Sequence, residues 1–321
     1  MRKYIILTGF FIAISIYFVY SWGFYAHKRI NRLAVFTLPK EMMGFYKSNI
    51  EYITEQAVAP DKRRYSDKEE ATRHYLDADK YGKSPFDSIP MNWKDAVNKY
   101  TEDTLNAYGT VPWRIQERLY KLTLAFKEKD SAGILFYSAD IGHYIADACV
   151  PLHSTMNYDG QLTNQKGIHS FWESRLPELF SDDYNYWVGK AEYIDDPLKE
   201  SFKLLKGSFA ALDSVLLFEK ELSSKFDPEK KYSYEQRGKK NVQVYSEAYS
   251  KAYHEALDGM VERRMRVAIK AVGSYWYTAW VNAGQPNMKR LIKKNQTVAE
   301  KERIDKEEDA YKKGKAIGRP E

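Results

Sequence analysis

The sequence predicts an all-α fold arranged as a single large multi-helix domain, and three observations lead there. Apolar residues recur at three- and four-residue intervals through each long segment, the period of a helix that buries one face. No run alternates polar and apolar residues in the manner of a strand. The chain has 321 residues, of which 44% are hydrophobic and 15% aromatic, enough apolar matter for one sizeable core.

The opening "MRKYIILTGFFIAISIYFVYS" has a basic start, an apolar run over residues 4–20 and the small residue Ser21, with Val19 two positions earlier. This is the pattern of a secretory signal peptide cleaved after Ser21, so residues 1–21 are expected to be removed and the mature protein to be secreted or periplasmic. Left uncleaved, the same run is just long enough to anchor the chain in a bilayer. "VPWRIQERLYKLTLAFKEKD" places Ile115, Leu119, Leu122 and Phe126 on one helical face. "SAGILFYSADIGHYIADAC" continues as a second helix after a break at Asp130 and Ser131. Residues 198–222 and 241–284 read as two further long helices, and turn-rich gaps fall at 80–90, 156–167 and 226–232. The domain therefore covers residues 22–285. The charged segment 286–321 is poor in large apolar residues and is expected to be a frayed appendage.

The formal net charge of +6 is unevenly placed. Residues 286–321 hold 11 basic against 7 acidic residues and the first 21 hold two basic ones, which leaves residues 22–285 with 37 of each sign. A neutral body argues against a broad basic groove for nucleic acid. Cys149 is the only cysteine, so an exported chain has no internal disulfide to staple it, and metal ions are a candidate replacement.

The stretch "DIGHYIADACVPLH" puts His143 and Asp147 four apart on one helix face, and Pro151 then turns the chain so that His153 points in a new direction. "GIHSFWES" repeats the spacing with His169 and Glu173. A third such pair, His254 and Asp258, has no further ligand types nearby and reads as structural. Of the six histidines, His27 in "WGFYAHKRI" and His74 in "PDKRRYSDKEEATRHYLDAD", which also holds Asp61, complete a set of five His with Asp61, Asp147 and Glu173. Neutral imidazoles with carboxylates suit zinc, whose sites take three or four N/O ligands, so eight side chains are too many for one ion. A di-iron helical bundle is disfavoured, since it uses Glu-x-x-His pairs and the spacing here is different.

In order and type these residues resemble the superfamily of zinc-dependent phospholipases C and S1/P1-type nucleases, all-helical exported enzymes with a trinuclear zinc cleft. Trp22, His27, Asp61, His74, the block His143/Asp147/His153 and the pair His169/Glu173 fill every slot of that pattern between positions 22 and 173. The resemblance implies three Zn²⁺ ions. One is held by Asp61, His74, His143 and Asp147, and a second by His153, His169 and Glu173. The third takes the Trp22 amino nitrogen and carbonyl oxygen with His27, Asp147 bridging it to the first. It also implies hydrolysis of a phosphodiester, either a phospholipid or a single-stranded nucleic acid, by a metal-activated water that Asp61 orients or deprotonates. A monomer is expected, with transient contact at a membrane surface for a lipid substrate. Glu173 and "HYLDAD" look like the phospholipase C branch, whereas "WGFYAH" and "FWES" look like the nuclease branch. Asp140, one turn before His143, is a candidate partner for a ligand histidine's outer N–H. The loop over residues 155–167 should rim the cleft, with Asn157, Tyr158 and Asn164 available to substrate. The rival class is a non-catalytic helical protein in which zinc only stabilises the fold.

Overall fold

A computed structural model of the chain describes residues 24–237, 240–291, 298–313, 316, 317 and 319. The expected signal peptide and Trp22 lie outside the described residues. Helices dominate, as the periodicity predicts. They are α1 (Phe24–Ala34), α2 (Lys40–Ser48), α3 (Ile50–Glu55), α4 (Val111–Lys127), α5 (Ser131–Ala148), α6 (Pro197–Lys225), α7 (Glu247–Ala256), α8 (Met260–Asn282) and α9 (Val298–Lys313), with several shorter turns between them. No helix among the described residues is long and apolar enough to cross a membrane.

α5 is the axis of the domain, packed against α1, α4 and α8. Every residue from Ser138 to Ala148 is buried, so this stretch has no solvent face and its polar side chains must find partners inside. Trp276 of α8 donates its indole N–H to the Ser138 carbonyl at 2.9 Å, and Asn31 of α1 donates to the Ala139 carbonyl at 3.1 Å. Gly142 is what lets α1 come so close: a β-carbon there would collide with the Asn31 side chain. At its far end α5 stops before Pro151, as expected of a residue that cannot extend the ladder. Its last carbonyls are taken up by neighbours, Ser208 of α6 donating to Ala148 at 2.7 Å and Arg264 of α8 to Cys149 at 2.8 Å. The helix is thereby fixed at both ends.

Two departures from the sequence reading concern the second half. Residues 241–284 are not one helix. Their start pairs with the preceding segment as an antiparallel hairpin, β1 (Tyr232–Arg237) and β2 (Lys240–Tyr245), in which Val242 and Val244 fall on one face and favour the pleat. α7 and α8 are then separated by Asp258 and Gly259, both left-handed at φ 46° and 71°. The segment after Pro286 is also not wholly irregular. α9 forms there and Tyr311 packs its ring against Phe24 and Tyr65, at centroid distances of 6.3 and 5.1 Å.

Candidate metal centre

Six separate elements deliver the polar residues to one place. His27 lies on α1 and Asp61 on a one-turn helix, Ala59–Arg63, that Pro60 starts. His74 follows the 3₁₀ turn Ala71–Arg73, and His153 sits in the 3₁₀ turn Pro151–Ser154 that Pro151 imposes. His143 and Asp147 face inward from α5. His169 and Glu173 occupy a helical segment over residues 168–180 whose middle, Phe171–Arg175, is a π-helical turn. Such turns are rare and recur at functional sites. This one is held by packing: Phe171 stacks on Tyr245 at 3.8 Å between centroids and lies 5.0 Å from Tyr253, while Arg175 pairs with Glu235 of β1.

The side chains converge in overlapping triplets whose ligand atoms lie within 4.8 Å of one another: His74/His143/Asp147, His153/His169/Glu173, His27/Asp147/Glu173 and His27/Asp61/His143. Asp147 spans the first and third, its Oδ2 lying 3.0 Å from His74 Nδ1 and 3.2 Å from His143 Nε2 and its Oδ1 3.3 Å from His27 Nε2. Asp61 Oδ1 stands further off, 3.7 Å from His74 Nδ1 and 3.6 Å from His143 Nε2. Glu173 spans as well, with Oε1 3.1 Å from His27 Nε2 and Oε2 2.8 Å from His169 and 3.3 Å from His153. None of these eight residues is more than 7% exposed.

The outer ring nitrogens decide what the inner ones can do. His143 Nδ1 donates to the Ala57 carbonyl at 2.8 Å, His153 Nδ1 to the His74 carbonyl at 2.8 Å and His169 Nδ1 to the Tyr158 carbonyl at 3.2 Å. A carbonyl only accepts, so each neutral ring presents a bare Nε2 to the interior. Asp147 Oδ2, buried and beside His143 Nε2 and His74 Nδ1, has no hydrogen-bond partner among the described residues. Lone pairs that converge on an orphaned carboxylate oxygen, in a set made of imidazole and carboxylate alone, fit a zinc-type cation.

Electrostatics point the same way. Burial would raise the Asp147 carboxyl, but His143 and His153 outweigh it and hold the group well below the usual carboxylate range. Burial also works against Glu173, and its close contacts with His153, His169 and His27 hold it well below that range too. Burial would lower His74, yet Asp147 and Glu70 push it up to about 9, and Asp147 and Glu173 likewise raise His27. Buried carboxylates kept ionised among imidazoles attract cations.

Beneath His74 lies a support that the sequence reading missed. Glu70 Oε1 faces His74 Nε2 at 3.6 Å and is itself fully buried between Arg63 and Arg114. Burial alone would raise Glu70, and the Arg63 charge with the His74 contact holds it well below the ordinary value. Asp140, expected to brace a ligand histidine, does not. It faces away and accepts from Arg63 at 2.9 and 3.0 Å, a pair that keeps Arg63 in place for Glu70. The spacing Glu70 to His74 was visible, but it falls across a 3₁₀ turn rather than a helix.

Other expectations sort plainly. His254 binds the Tyr184 hydroxyl at 2.7 Å and packs on Phe180, and Asp258 lies beyond the end of α7, so this pair shares no helix and no ligand set. In the 155–167 loop, Tyr158 reaches the cleft rim, while Asn157 is consumed in knitting the loop, accepting from Leu162 N at 2.8 Å and donating to Thr163 at 3.1 Å. Asn164 is exposed at a left-handed φ of 60°.

No curated protein matches the chain significantly. The family model described as zinc dependent phospholipase C matches residues 26–236, a span that holds all eight converging side chains and most of the chain, and the protein therefore belongs to the zinc-dependent phospholipase C family.

Proposed function

We propose that the protein is an exported phosphodiesterase of phospholipase C type that works with three zinc ions. The observation that carries this reading is the tethering of the outer nitrogens of His143, His153 and His169 to backbone carbonyls, which leaves three bare nitrogens and two spanning carboxylates aimed inward. Asp61, His74, His143 and Asp147 are suited to one ion, and His153, His169 and Glu173 to a second. His27 and Asp147, with the Trp22 amino nitrogen and carbonyl, are suited to a third. Zinc supplies Lewis acidity toward a phosphoryl oxygen and lowers the pKa of a bound water towards about 7.

The chain's own contribution is orientation and proton handling. Asp147 is engaged with three imidazoles at 3.0–3.3 Å, whereas Asp61 holds its histidine neighbours at 3.6–3.7 Å. That looser grip leaves Asp61 an oxygen for the attacking water, so it aligns the water on phosphorus and takes its proton. Burial of the surrounding imidazoles excludes bulk water from competing.

The short spacing of Trp22 and His27 supports the nuclease reading, and Glu173 supports the phospholipase one. The test is a side-by-side assay on phosphatidylcholine, single-stranded DNA and bis(p-nitrophenyl) phosphate with metal content measured. Zinc-dependent turnover of the lipid above the DNA is expected. Preference for DNA overturns the phospholipase assignment, and no zinc-dependent turnover of any of the three leaves a zinc-stabilised, non-catalytic protein.

A further inference from the structure

The described residues near the end of the chain make an unusual contact. Arg319, only 10% exposed at its side chain, lies with its guanidinium 4.1 Å from the ring centre of Tyr75 and 3.7 Å from that of Tyr158. Its Nη1 pairs with Asp77 at 2.7 Å, and its Nη2 donates to the Thr155 carbonyl at 3.0 Å and the Leu152 carbonyl at 3.5 Å. Two aromatic faces, one carboxylate and two backbone carbonyls form a cage for a cation, and the carbonyls require that cation to carry N–H groups.

The cage is built largely from chain neighbours of the candidate metal centre. Tyr75 follows His74, Leu152 and Thr155 flank His153, and the Tyr158 carbonyl is the one that accepts from His169 Nδ1. The chain reaches it by crossing the same rim. Tyr311 of α9 packs on Phe24, Lys62 beside Asp61 lies over the Tyr311 ring at 5.6 Å, and Ile317 N donates to the Arg64 carbonyl at 2.8 Å. These contacts lay α9, Ile317 and Arg319 as a strap over residues that neighbour the buried, converging side chains.

We infer that the Tyr75–Tyr158–Asp77 cage is a substrate subsite for a primary ammonium group, which Arg319 of the chain's own strap fills until substrate displaces it. The inference rests on the phosphodiesterase reading and deepens it: the substrate carries a protonated amine close to its phosphate, as an ethanolamine ester does. A quaternary ammonium satisfies the rings but leaves Asp77 and the two carbonyls without donors, so it is the poorer ligand. Arg319 acts as an internal competitor, and its removal helps only ligands that use the cage.

The test measures binding and turnover separately, on the zinc-loaded full chain and its Arg319→Ala and Arg319→Lys variants. Calorimetry with O-phosphoethanolamine, phosphocholine and inorganic phosphate reads the cage without any chemistry. Arg319→Ala is expected to tighten phosphoethanolamine about tenfold, the scale of a desolvated cation–π contact, with phosphate changed less than about twofold. Arg319→Lys should restore the parent value, and adding Tyr158→Leu to Arg319→Ala should abolish the gain. Equal tightening of all three ligands, or none, overturns the subsite, and an equal gain for phosphocholine overturns the primary-ammonium assignment. Turnover of short-chain phosphatidylethanolamine and of glycerophosphoethanolamine then tells a lipid from a soluble source. If neither diester is hydrolysed while the binding preference holds, the phosphodiesterase reading fails and the cage stands.

Discussion

His143 Nε2 and His74 Nδ1 lie 3.0 Å apart, and while both rings are neutral neither has a proton for the other. His143 spends its N–H on the Ala57 carbonyl, and the other nitrogen of His74 faces Glu70. With Asp147 Oδ2 beside both, three acceptors meet at a point that only a cation or an added proton satisfies. Stripping zinc is therefore expected to destabilise the fold. At a thousandfold excess of zinc over its dissociation constant the difference is about 4 kcal/mol, which for a domain of this size is on the order of 10 °C in Tm. Calorimetric scans with chelator and with zinc added back test it, and a Tm indifferent to both would mean the cluster does not hold metal.

Asp147 belongs to two of the triplets, so its loss should be felt in two places. Asp147→Asn keeps the shape but removes the charge facing His27 on one side and His74 and His143 on the other. The expected result is a protein two zinc ions short, with phosphodiesterase activity down by at least about 100-fold. His169→Ala removes a nitrogen from the His153/His169/Glu173 triplet alone and should lose one ion. Metal analysis of the two purified variants distinguishes them; equal stoichiometry would show that Asp147 does not bridge.

Glu70 is buried beneath His74 and neutralises Arg63 and Arg114 in the same stroke. Glu70→Gln removes one of two carboxylates from each guanidinium, Asp140 staying with Arg63 and Glu117 with Arg114, so a loss of about 1–3 kcal/mol is expected. It also leaves the His74 outer N–H without a carboxylate, which is expected to weaken zinc binding about 10- to 100-fold. Chemical unfolding and zinc titration check the two effects separately. A variant with parent stability and parent affinity would reduce Glu70 to a bystander.

How far the sequence foretold this arrangement depends on the kind of signal. The converging histidines and carboxylates were legible because imidazoles on an apolar helix such as α5 violate its own periodicity, and because the i, i+4 spacing of His143 with Asp147 is a geometric statement. Glu70 was not singled out, since its neighbours Asp67, Lys68 and Glu69 give the look of a solvated charge run. Asp140 stood on the right helix but one face away, a rotation that spacing alone does not resolve. The hairpin was hidden because Val242 and Val244 alternate over too few residues to outvote the helical run that follows. Arg319 lay in a segment whose composition promised nothing packed.

His254 offers a pH prediction free of the metal. Burial lowers its pKa below 6.5, with Glu255 and Glu262 opposing, and Tyr184 holds its Nε2 at 2.7 Å. A histidine whose folded pKa is depressed is neutral in the fold while the unfolded chain takes up a proton. Its stabilising effect is present above the unfolded value and is lost as pH falls through about 6.5 and below. Relative to His254→Gln, the parent chain should lose stability on going from pH 7.5 to 5.5, with zinc content and turnover of the two proteins the same. A stability difference that does not vary over that range, or loss of activity in the variant, would contradict the structural role.

The last prediction joins the expected signal cleavage to His27. Its Nε2 lies 3.3 Å from Asp147 and 3.1 Å from Glu173, while its buried Nδ1 has no hydrogen-bond partner among the described residues. Both carboxylates beside His27 also face other histidines, so a zinc ion here would need further donors to reach four. Cleavage after Ser21 turns the Trp22 nitrogen from a peptide amide, which has no free lone pair, into an α-amino group with a pKa near about 8 that a metal readily deprotonates. With its own carbonyl oxygen that amine would add two donors beside His27, so maturation would complete the third proposed ligand set. A chain keeping Ser21, or a Met in its place, before Trp22 should bind one zinc fewer and hydrolyse phosphodiesters poorly, and removing the extra residue should restore both. Full zinc occupancy with undiminished turnover in the extended chain would show that Trp22 takes no part in the chemistry.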